Sequence, residues 1–339
     1  MITTKPEPKI KFNNEQKKII RSSWAKPLLA FLHQNLNKKL IYVGLPDVEA
    51  HDVIEWLDYL EIVYAFQCRD YPNPSSPTQS RQHILALENT LRSLERRKQI
   101  ATYDVFDGYI EEVMVRGFDN SPQVKSFTQQ DTVTVYNLDF CGQVTSPIEY
   151  VDRKGRKQKA YKFNAVQKLL DHQKNIEQDN KKFVLFLTLH CSYDGQEFTK
   201  FLANPHPDIK KYLEPIQKLS KGKKAPYAVK AFVYDQLTQF FTNSRFIPEF
   251  LPTLYYNGDN GHPLLFFTVL GTESENSSSI PAPLVTLNSL LKTPLVSIAN
   301  DHTFAINNDL ILPDEIKSNG VITSTGVFKS SKSYQQYWK

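Results

Sequence analysis

Glycine is scarce in this sequence, at 12 of 339 residues, about half of the roughly 7% found in average proteins. This scarcity argues against the glycine-rich loops that many nucleotide-binding proteins use to hold phosphates. Neither the phosphate-binding pattern GxxxxGK[ST] nor the nucleophile pattern GxSxG occurs. Any cofactor-binding loop in this chain must therefore differ from the usual glycine-rich form.

Cysteines and long apolar runs are also few. The three cysteines cannot form a disulfide framework, and the absence of a CxxC pair argues against a zinc site. The best apolar runs, 183–189 and 264–270, have the length of strands and fall well short of the ~18 residues of a membrane span. The basic N-terminal stretch has no apolar core typical of a secretory signal. We therefore expect a soluble, cytoplasmic protein with no bound metal and no membrane partner.

Positive charge is concentrated in two short segments. The whole chain has a net charge of only +5, but five of the seven residues at 153–159 are basic: Arg153, Lys154, Arg156, Lys157 and Lys159. A second group of lysines lies at 218–224. Both segments are predicted to be exposed loops. They are either solvated charge or a phosphate-binding surface for nucleic acid, and a protein partner is the alternative if nucleic acid does not bind.

The order of apolar segments predicts an α/β protein. Residues 1–36 form a helical lead-in that is broken or kinked at Pro27, and from residue 38 strands alternate with helices. Two further apolar segments around a GDNG turn predict a terminal hairpin at 250–271. Predicted parallel strands lie at 40–46, 62–68, 100–105, 132–140 and 182–191, and predicted helices include 48–60, 81–97 and 163–178. We predict a lead-in (1–36), an α/β domain (37–272) and a small, partly β appendage (273–339).

Five βα units followed by an antiparallel hairpin resemble the class I S-adenosylmethionine-dependent methyltransferases, a Rossmann-like family. The resemblance covers roughly residues 37–272. It implies a three-layer α/β fold with a mostly parallel, seven-stranded sheet that ends in an antiparallel hairpin. It also implies S-adenosylmethionine as the cofactor.

The resemblance assigns cofactor roles to residues at the ends of the first three strands. The loop at 44–49, with Gly44 and Glu49, would hold the methionine part, Gln67 the ribose and Asp107 the adenine amino group. The chain departs from the family here, because the loop has one glycine and Gln67 is a neutral residue where the family usually has an acid. Helix capping is the alternative role for Asp47 and for Asp107.

The fourth predicted strand ends in NLDFCG, at the place where amino-methylating members of the family hold the target amine. The resemblance assigns that positioning role to Asp139, although the prolines of the family's motif are missing. Cys141 has two interpretations. It is either the nucleophile of a pyrimidine-methylating site or a buried, inert thiol.

Two functions are consistent with these residues. One is methyl transfer from S-adenosylmethionine to a nucleic-acid base. The other is a catalytically degenerate methyltransferase-like module that serves as a nucleic-acid-binding or scaffold component of a larger assembly. The thin loop at 44–49 and Gln67 favour loss of catalysis, whereas Asp107 and Asp139 favour its retention.

Overall fold

The computed structural model describes residues 14–67, 77–128, 131–140, 142–152, 154–178, 181–192, 195–217, 219–258 and 261–274, with 290, 293, 295–298, 304–306 and 327–328. Its strands are β1 (Leu40–Gly44), β2 (Leu60–Gln67), β3 (Thr102–Asp107), β4 (Val135–Asp139), β5 (Ile148–Val151), β6 (Lys157–Ala160), β7 (Lys182–His190), β8 (Phe246–Phe250), β9 (Thr253–Asn257), β10 (Pro263–Glu273), β11 (Leu295–Ile298), β12 (Phe304–Ile306) and β13 (Val327–Phe328). Its helices are α1 (Glu15–Ile19), a π-helical segment (Ile20–Ala25), α2 (Lys26–Leu36), α3 (His51–Glu55), α4 (Pro77–Arg96), α5 (Ile110–Arg116), α6 (Lys162–Lys174), α7 (Gln196–Ala203), α8 (Pro207–Leu213), a 3-10 turn (Glu214–Ile216) and α9 (Lys221–Asn243).

The main sheet has the order β13-β12-β11-β9-β10-β7-β4-β1-β2-β3, and β8 also pairs with β10. Strands β3, β2, β1, β4 and β7 pair in parallel with one another in that order, whereas β10 is antiparallel to both β7 and β9. The predictions of a mostly parallel sheet and of an antiparallel hairpin formed by β9 and β10 are therefore confirmed. The sheet has eleven strands rather than the predicted seven, because β11, β12 and β13 continue it beyond β9. The order of connections reverses between β1 and β4, which makes this the topological switch point, where open α/β sheets bind ligands.

Helices cover both faces of the sheet and form two cores. On one face, the lead-in helices with α3 and α4 pack against residues of β1, β2 and β4. On the other face, α5, α6 and α9 bury the opposite side chains of the same strands. β7 lies between β4 and β10 with seven consecutive buried residues, as its apolar sequence predicts for an interior strand.

The lead-in was predicted to be broken or kinked at Pro27, and the break is wrong, because helical structure continues past this residue. The π-helical segment at 20–25 immediately precedes α2, and Pro27 lies in the first turn of α2, where its missing N–H costs little. Trp24 anchors this segment to distant parts of the chain. Its indole N–H donates to Thr268 Oγ1 at 2.9 Å, and its ring centroid lies 4.9 Å from that of Phe304.

The helix predicted over 48–60 is much shorter. A turn occupies the residues before it, with Ala50 in the left-handed conformation, so α3 begins only at His51. The helix ends at Glu55, because Trp56 leaves helical geometry and accepts a backbone hydrogen bond from Tyr59 in a turn. The third predicted strand is displaced as well, to 102–107, and the helix that follows it ends at Arg116 with Gly117 as its C-cap in the left-handed conformation.

The two basic segments are only in part the loops that we predicted, because Lys157–Ala160 is a strand and α9 begins at Lys221. Most of 153–159 belongs to the hairpin β5–β6, whose turn is closed by Asp152, with Oδ1 accepting from the backbone N–H groups of Lys154 and Arg156. The second segment enters helix α9 at Lys221. Asp and Gly favour tight turns, which accounts for a hairpin in a basic stretch.

The C-terminal strands extend the main sheet. β11 pairs in parallel with β9, so the boundary predicted near residue 272 falls at the end of β10 and the strands beyond it share the same sheet. Two buried contacts join residues before β11 to α9: Lys230 Nζ donates to the Leu290 carbonyl at 2.6 Å, and the Tyr234 hydroxyl lies 2.6 Å from Thr293 Oγ1.

Candidate functional site at the switch point

Four predicted site residues lie at one edge of the sheet. Gly44, Gln67, Asp107 and Asp139 end the parallel strands β1 to β4, and Gln67 is directly opposite Asp107 in the pairing register. Alternation along each strand places all four on the face that carries the lead-in helices and α3. The strand ends that the resemblance implies for a cofactor therefore converge, on one face of the sheet.

A cluster of four charged side chains fills the part of this edge between β1 and β4. Lys17 Nζ lies 2.7 Å from Asp139 Oδ2, and Arg21 Nη1 lies 3.3 Å from Asp52 Oδ1. The two cations come from successive turns of the lead-in, whereas the two carboxylates come from α3 and β4. We call these four residues the charge cluster. Because it holds two positive and two negative groups, it is electrically balanced within the protein.

Neutral groups complete the charge cluster. Asn137 Nδ2 donates to Asp52 Oδ2 at 2.6 Å and lies 3.4 Å from the hydroxyl of Tyr42. The remaining cavity, about 30 Å³, is lined in part by Thr188 and Tyr256. A cavity of this volume holds about two water molecules.

Burial changes the proton affinity of the groups in this region. Removal from solvent raises the pKa of Asp52 to about 6, an effect that the charge of Arg21 partly offsets. Burial, followed by the nearby charge of Asp52, raises the pKa of Tyr42 well above its ordinary value. Tyr42 is therefore a neutral hydroxyl, and Asp52 changes its charge near neutral pH.

The loop after β1 uses its backbone donors internally. The N–H of Leu45 donates to the Asn137 carbonyl at 3.0 Å, and the N–H of Ala50 donates to the Asp47 carbonyl at 2.9 Å. Asp47 Oδ1 accepts from the N–H groups of Glu49 and His51 at 3.0 and 3.3 Å. Asp47 therefore closes the turn before α3 but does not occupy the N-cap position, which belongs to Ala50 and has no side-chain cap hydrogen bond. These four N–H groups are already paired within the loop and with β4.

Position 44 requires glycine because neighbouring protein atoms leave no room for a Cβ. A Cβ at this position would lie 2.5 Å from the Asn137 carbonyl oxygen and would also overlap the Tyr42 hydroxyl. Tyr42 is completely buried. The space that a glycine would leave for a bound ligand is therefore filled by a side chain from the same strand.

Three other residues were predicted to bind the cofactor. The backbone groups of Gln67 and Asp107 form hydrogen bonds within the protein, and Glu49 is exposed. The Gln67 carbonyl accepts from the N–H of Gly108 at 3.0 Å, and the N–H of Asp107 donates to Asp119 Oδ2 at 3.1 Å. Asp107 is buried and precedes α5, whose N-cap is Tyr109. Glu49 is exposed, and its Oε2 lies 3.1 Å from His51 Nε2.

The predicted cysteine site cannot be placed, because Cys141 and Cys68 lie outside the described residues. Cys191 follows β7 and is buried, which raises the pKa of its thiol to about 12. Such a thiol is inert at neutral pH. Within the described parts of the chain, no group of three or more His, Cys, Asp or Glu residues is arranged to hold a metal ion.

The β5–β6 hairpin carries exposed positive charge, part of which is paired. Arg156 Nη2 lies 2.7 Å from Asp152 Oδ2, and Lys159 Nζ lies 3.9 Å from Glu149 Oε1. Lys154 and Lys157 are exposed and have no acidic partner among the described residues. Arg153 lies outside the described residues. Of the five predicted basic residues, two are thus paired with carboxylates within the hairpin.

The strand arrangement decides the kind of fold. Five parallel strands with a reversal between β1 and β4, then an antiparallel β10 between β7 and β9, form the mixed sheet implied by the resemblance stated above. The fold is methyltransferase-like. No helix in the described parts of this methyltransferase-like chain is long and apolar enough to cross a membrane.

Comparison with solved structures finds methyltransferases at low similarity. Magnesium protoporphyrin IX methyltransferase from Synechocystis PCC 6803, with bound SAH, is 8% identical with a TM-score of 0.34, over 77% of this chain and 89% of that one. A 1,6-didemethyltoxoflavin-N1-methyltransferase from Burkholderia thailandensis is 11% identical with a TM-score of 0.32, over 77% and 90%. A SAM-dependent methyltransferase from Methanosarcina mazei is 11% identical with a TM-score of 0.34, over 72% and 96%. These scores carry no argument about activity.

No family model and no curated protein matches the chain. The fit of S-adenosylmethionine must therefore be judged from the methyltransferase-like site itself. Tyr42 fills the space over Gly44, the loop after β1 pairs its own donors, and Lys17 neutralises Asp139. The described residues between β1 and β4 do not fit the methionine part of this cofactor.

Three residues of the charge cluster were not predicted from the sequence: Lys17, Arg21 and Asp52. Lys17 and Arg21 are four residues apart in a predicted helix, a spacing that places both on one face. Nothing in the sequence indicates that this face lies on the carboxyl end of the sheet. Their role depends on how the lead-in packs.

Proposed function

We propose that this chain is a nucleic-acid-binding module with a methyltransferase-like fold and that it does not use S-adenosylmethionine. The charge cluster is the observation that carries this proposal. Asp139, the residue in the position that would hold a methyl acceptor, is engaged by Lys17 at 2.7 Å, and Lys17 belongs to the protein's own lead-in helix.

The lead-in is held too firmly to act as a simple lid. Trp24, Leu28 and Leu29 are almost completely buried against the sheet. The start of the lead-in is also tied to the end of β9, because the N–H of Asn257 donates to Gln16 Oε1 at 2.9 Å. Opening the site would therefore require much of this core to separate, which supports a permanent closure.

The β5–β6 hairpin supports a polyanionic partner. It follows β4, is exposed over most of its length, and contains Lys154 and Lys157, which have no acidic partner in the part of the chain that the structure describes. A basic hairpin of this kind contacts phosphates without reading base sequence. Binding would depend strongly on salt and little on sequence.

Calorimetric titration with S-adenosylmethionine tests the first half of the proposal. We expect no binding tighter than about 1 mM, since the space and donors for the methionine part are taken. Titration of Asp107→Asn and Asp139→Asn variants provides the control for site-specific heat. Micromolar binding by the wild-type protein that either substitution abolishes would overturn the proposal and support methyl transfer.

A further inference from the structure

Two basic segments far apart in sequence lie at the same end of the molecule. One is the hairpin at 148–160, with five basic residues against two acidic ones. The other is the segment 207–224, with six lysines against two acidic residues. Together they hold more positive charge than the whole chain's net charge of +5, so the rest of the protein is slightly acidic.

Helix α6 fixes the position of the hairpin. The hairpin leaves the carboxyl end of β4, and α6 begins two residues after β6. The first turn of α6 must therefore lie at the same end as the carboxyl ends of the parallel strands. The hairpin packs beside α5 at that end.

Helix α9 runs in the same direction as α6. The Phe163 and Phe232 rings are 5.7 Å apart near the start of α6, and Ser244 Oγ lies 3.3 Å from Asp171 Oδ1 near its end. Phe232 is eleven residues into α9, so the first three turns of α9 extend about 16 Å beyond the level of Phe163. The lysines at the start of α9 therefore project from the carboxyl end of the sheet.

Helix α8 adds to the same basic end. The Tyr212 and Tyr227 ring centroids are 6.2 Å apart, and Lys230 Nζ lies 5.3 Å from the Tyr212 ring, so α8 packs on the first half of α9. Lys210, Lys211 and Lys223 are exposed and have no acidic partner among the described residues.

We infer that the hairpin 148–160 and the segment 207–224 form one composite surface that binds the phosphate backbone of a nucleic acid. This inference rests on the proposed nucleic-acid binding and adds a second, independent contact region to it. A partner that touched both segments would cover the carboxyl end of the sheet, including the closed switch point.

Fluorescence anisotropy over a range of salt concentrations tests the composite surface. The probes are a labelled 20-nucleotide oligothymidine and a 20-base-pair duplex. The variants are Lys154→Glu/Lys157→Glu in the hairpin and Lys223→Glu/Lys224→Glu in α9. Arg97→Glu/Lys98→Glu is the matched control, since these exposed residues precede β3 at the opposite end of the sheet.

We expect each test variant to bind roughly tenfold more weakly at about 0.1 M salt, with the salt slope reduced by roughly 1.4 to 1.8 for two lost phosphate contacts. The control variant should bind like the wild type. If only the hairpin variant is weakened, the composite surface is wrong but the proposed function stands. An equal loss in the control variant would overturn the composite surface, because binding would then follow overall charge. A wild-type protein that binds neither probe would overturn the proposed function, leaving an acidic protein as the partner.

Discussion

Lys17 Nζ and Asp139 Oδ2 form an ion pair of 2.7 Å that joins the lead-in helix to the end of β4, 122 residues away. Burial by itself would lower the pKa of Lys17, but the charge of Asp139 and the hydrogen bond to it raise that pKa above its ordinary value. Lys17 therefore keeps its positive charge at neutral pH. Because the lysine side chain is only 17% exposed, neither partner can lose the other without cost.

Replacing Lys17 with alanine should destabilise the protein by about 1 to 3 kcal/mol, because Asp139 would keep its charge without its partner. Urea unfolding measures the change. Lys18→Ala is the matched control, since Lys18 makes an exposed pair with Glu15 one turn away and should change stability by no more than about 0.5 kcal/mol. An equal loss of unfolding free energy in the two variants would show that the Lys17–Asp139 pair stabilises the protein no more than an exposed ion pair does.

Asp52 should make stability depend on pH in an unusual direction. Its pKa is raised from 3.8 to about 6 by burial, so between these values the folded state binds more protons than the unfolded state. Stability contributed by this group is therefore complete below pH 4, falls as the pH rises to about 6, and then stays constant. The fall amounts to about 3 kcal/mol at 1.36 kcal/mol per pH unit.

The difference between wild type and Asp52→Asn isolates this effect, because other titrating groups are common to both proteins. The free energy of unfolding of the wild type minus that of Asp52→Asn should be measured from pH 4 to pH 7. This difference should fall by about 3 kcal/mol between pH 4 and pH 6 and then stay constant. A difference that is constant over this range would contradict the raised pKa.

Gly44→Ala should cost about 2 to 3 kcal/mol, since the new Cβ would overlap the Tyr42 hydroxyl and the Asn137 backbone. Adding Tyr42→Phe should restore only part of the loss, because the contact with the carbonyl of Asn137 remains. Gly222→Ala is the control: this position in α9 has open space around it, and alanine there should leave stability unchanged or raise it by up to about 1 kcal/mol.

Cys191 should resist alkylation while the protein is folded. Its thiol is buried, and its pKa of about 12 leaves almost no thiolate at pH 8. Iodoacetamide labelling followed by peptide mapping should find Cys191 unmodified in the native protein and fully modified in urea. Rapid native labelling at this residue would show that the end of β7 is accessible.

The sheet could be predicted because its evidence is local. Each parallel strand is a short apolar run between helical segments, and the GDNG turn indicates the hairpin of β9 and β10. The predicted secondary structure was wrong at two places where one aspartate side chain accepts hydrogen bonds from backbone N–H groups and so forms a turn. Asp47 turns the chain and delays α3 until His51, while Asp152 folds a basic stretch into a hairpin.

The sequence predicted the strand-end residues of the candidate site but not the side chains that pack against them. Gly44 and Asp139 were found because strand ends in an α/β sheet lie at a common edge. Their partners were not, because Lys17 and Asp52 acquire their roles through contacts with residues more than 80 positions away in the chain. The sequence therefore indicated where a ligand would lie, while only the packing showed that the protein's own side chains are already there.

The contacts of Trp24 can form only late in synthesis of the chain. Its hydrogen-bond partner, Thr268, is 244 residues further along the chain, and its ring partner, Phe304, is later still. At about 5 to 20 residues per second, a ribosome needs roughly 12 to 50 s to travel from Trp24 to Thr268. During that time the lead-in helix carries an apolar face with no strand β10 to cover it. The lead-in is thus among the last of the described segments to complete its packing, and its apolar face is open to aggregation until β10 has been made.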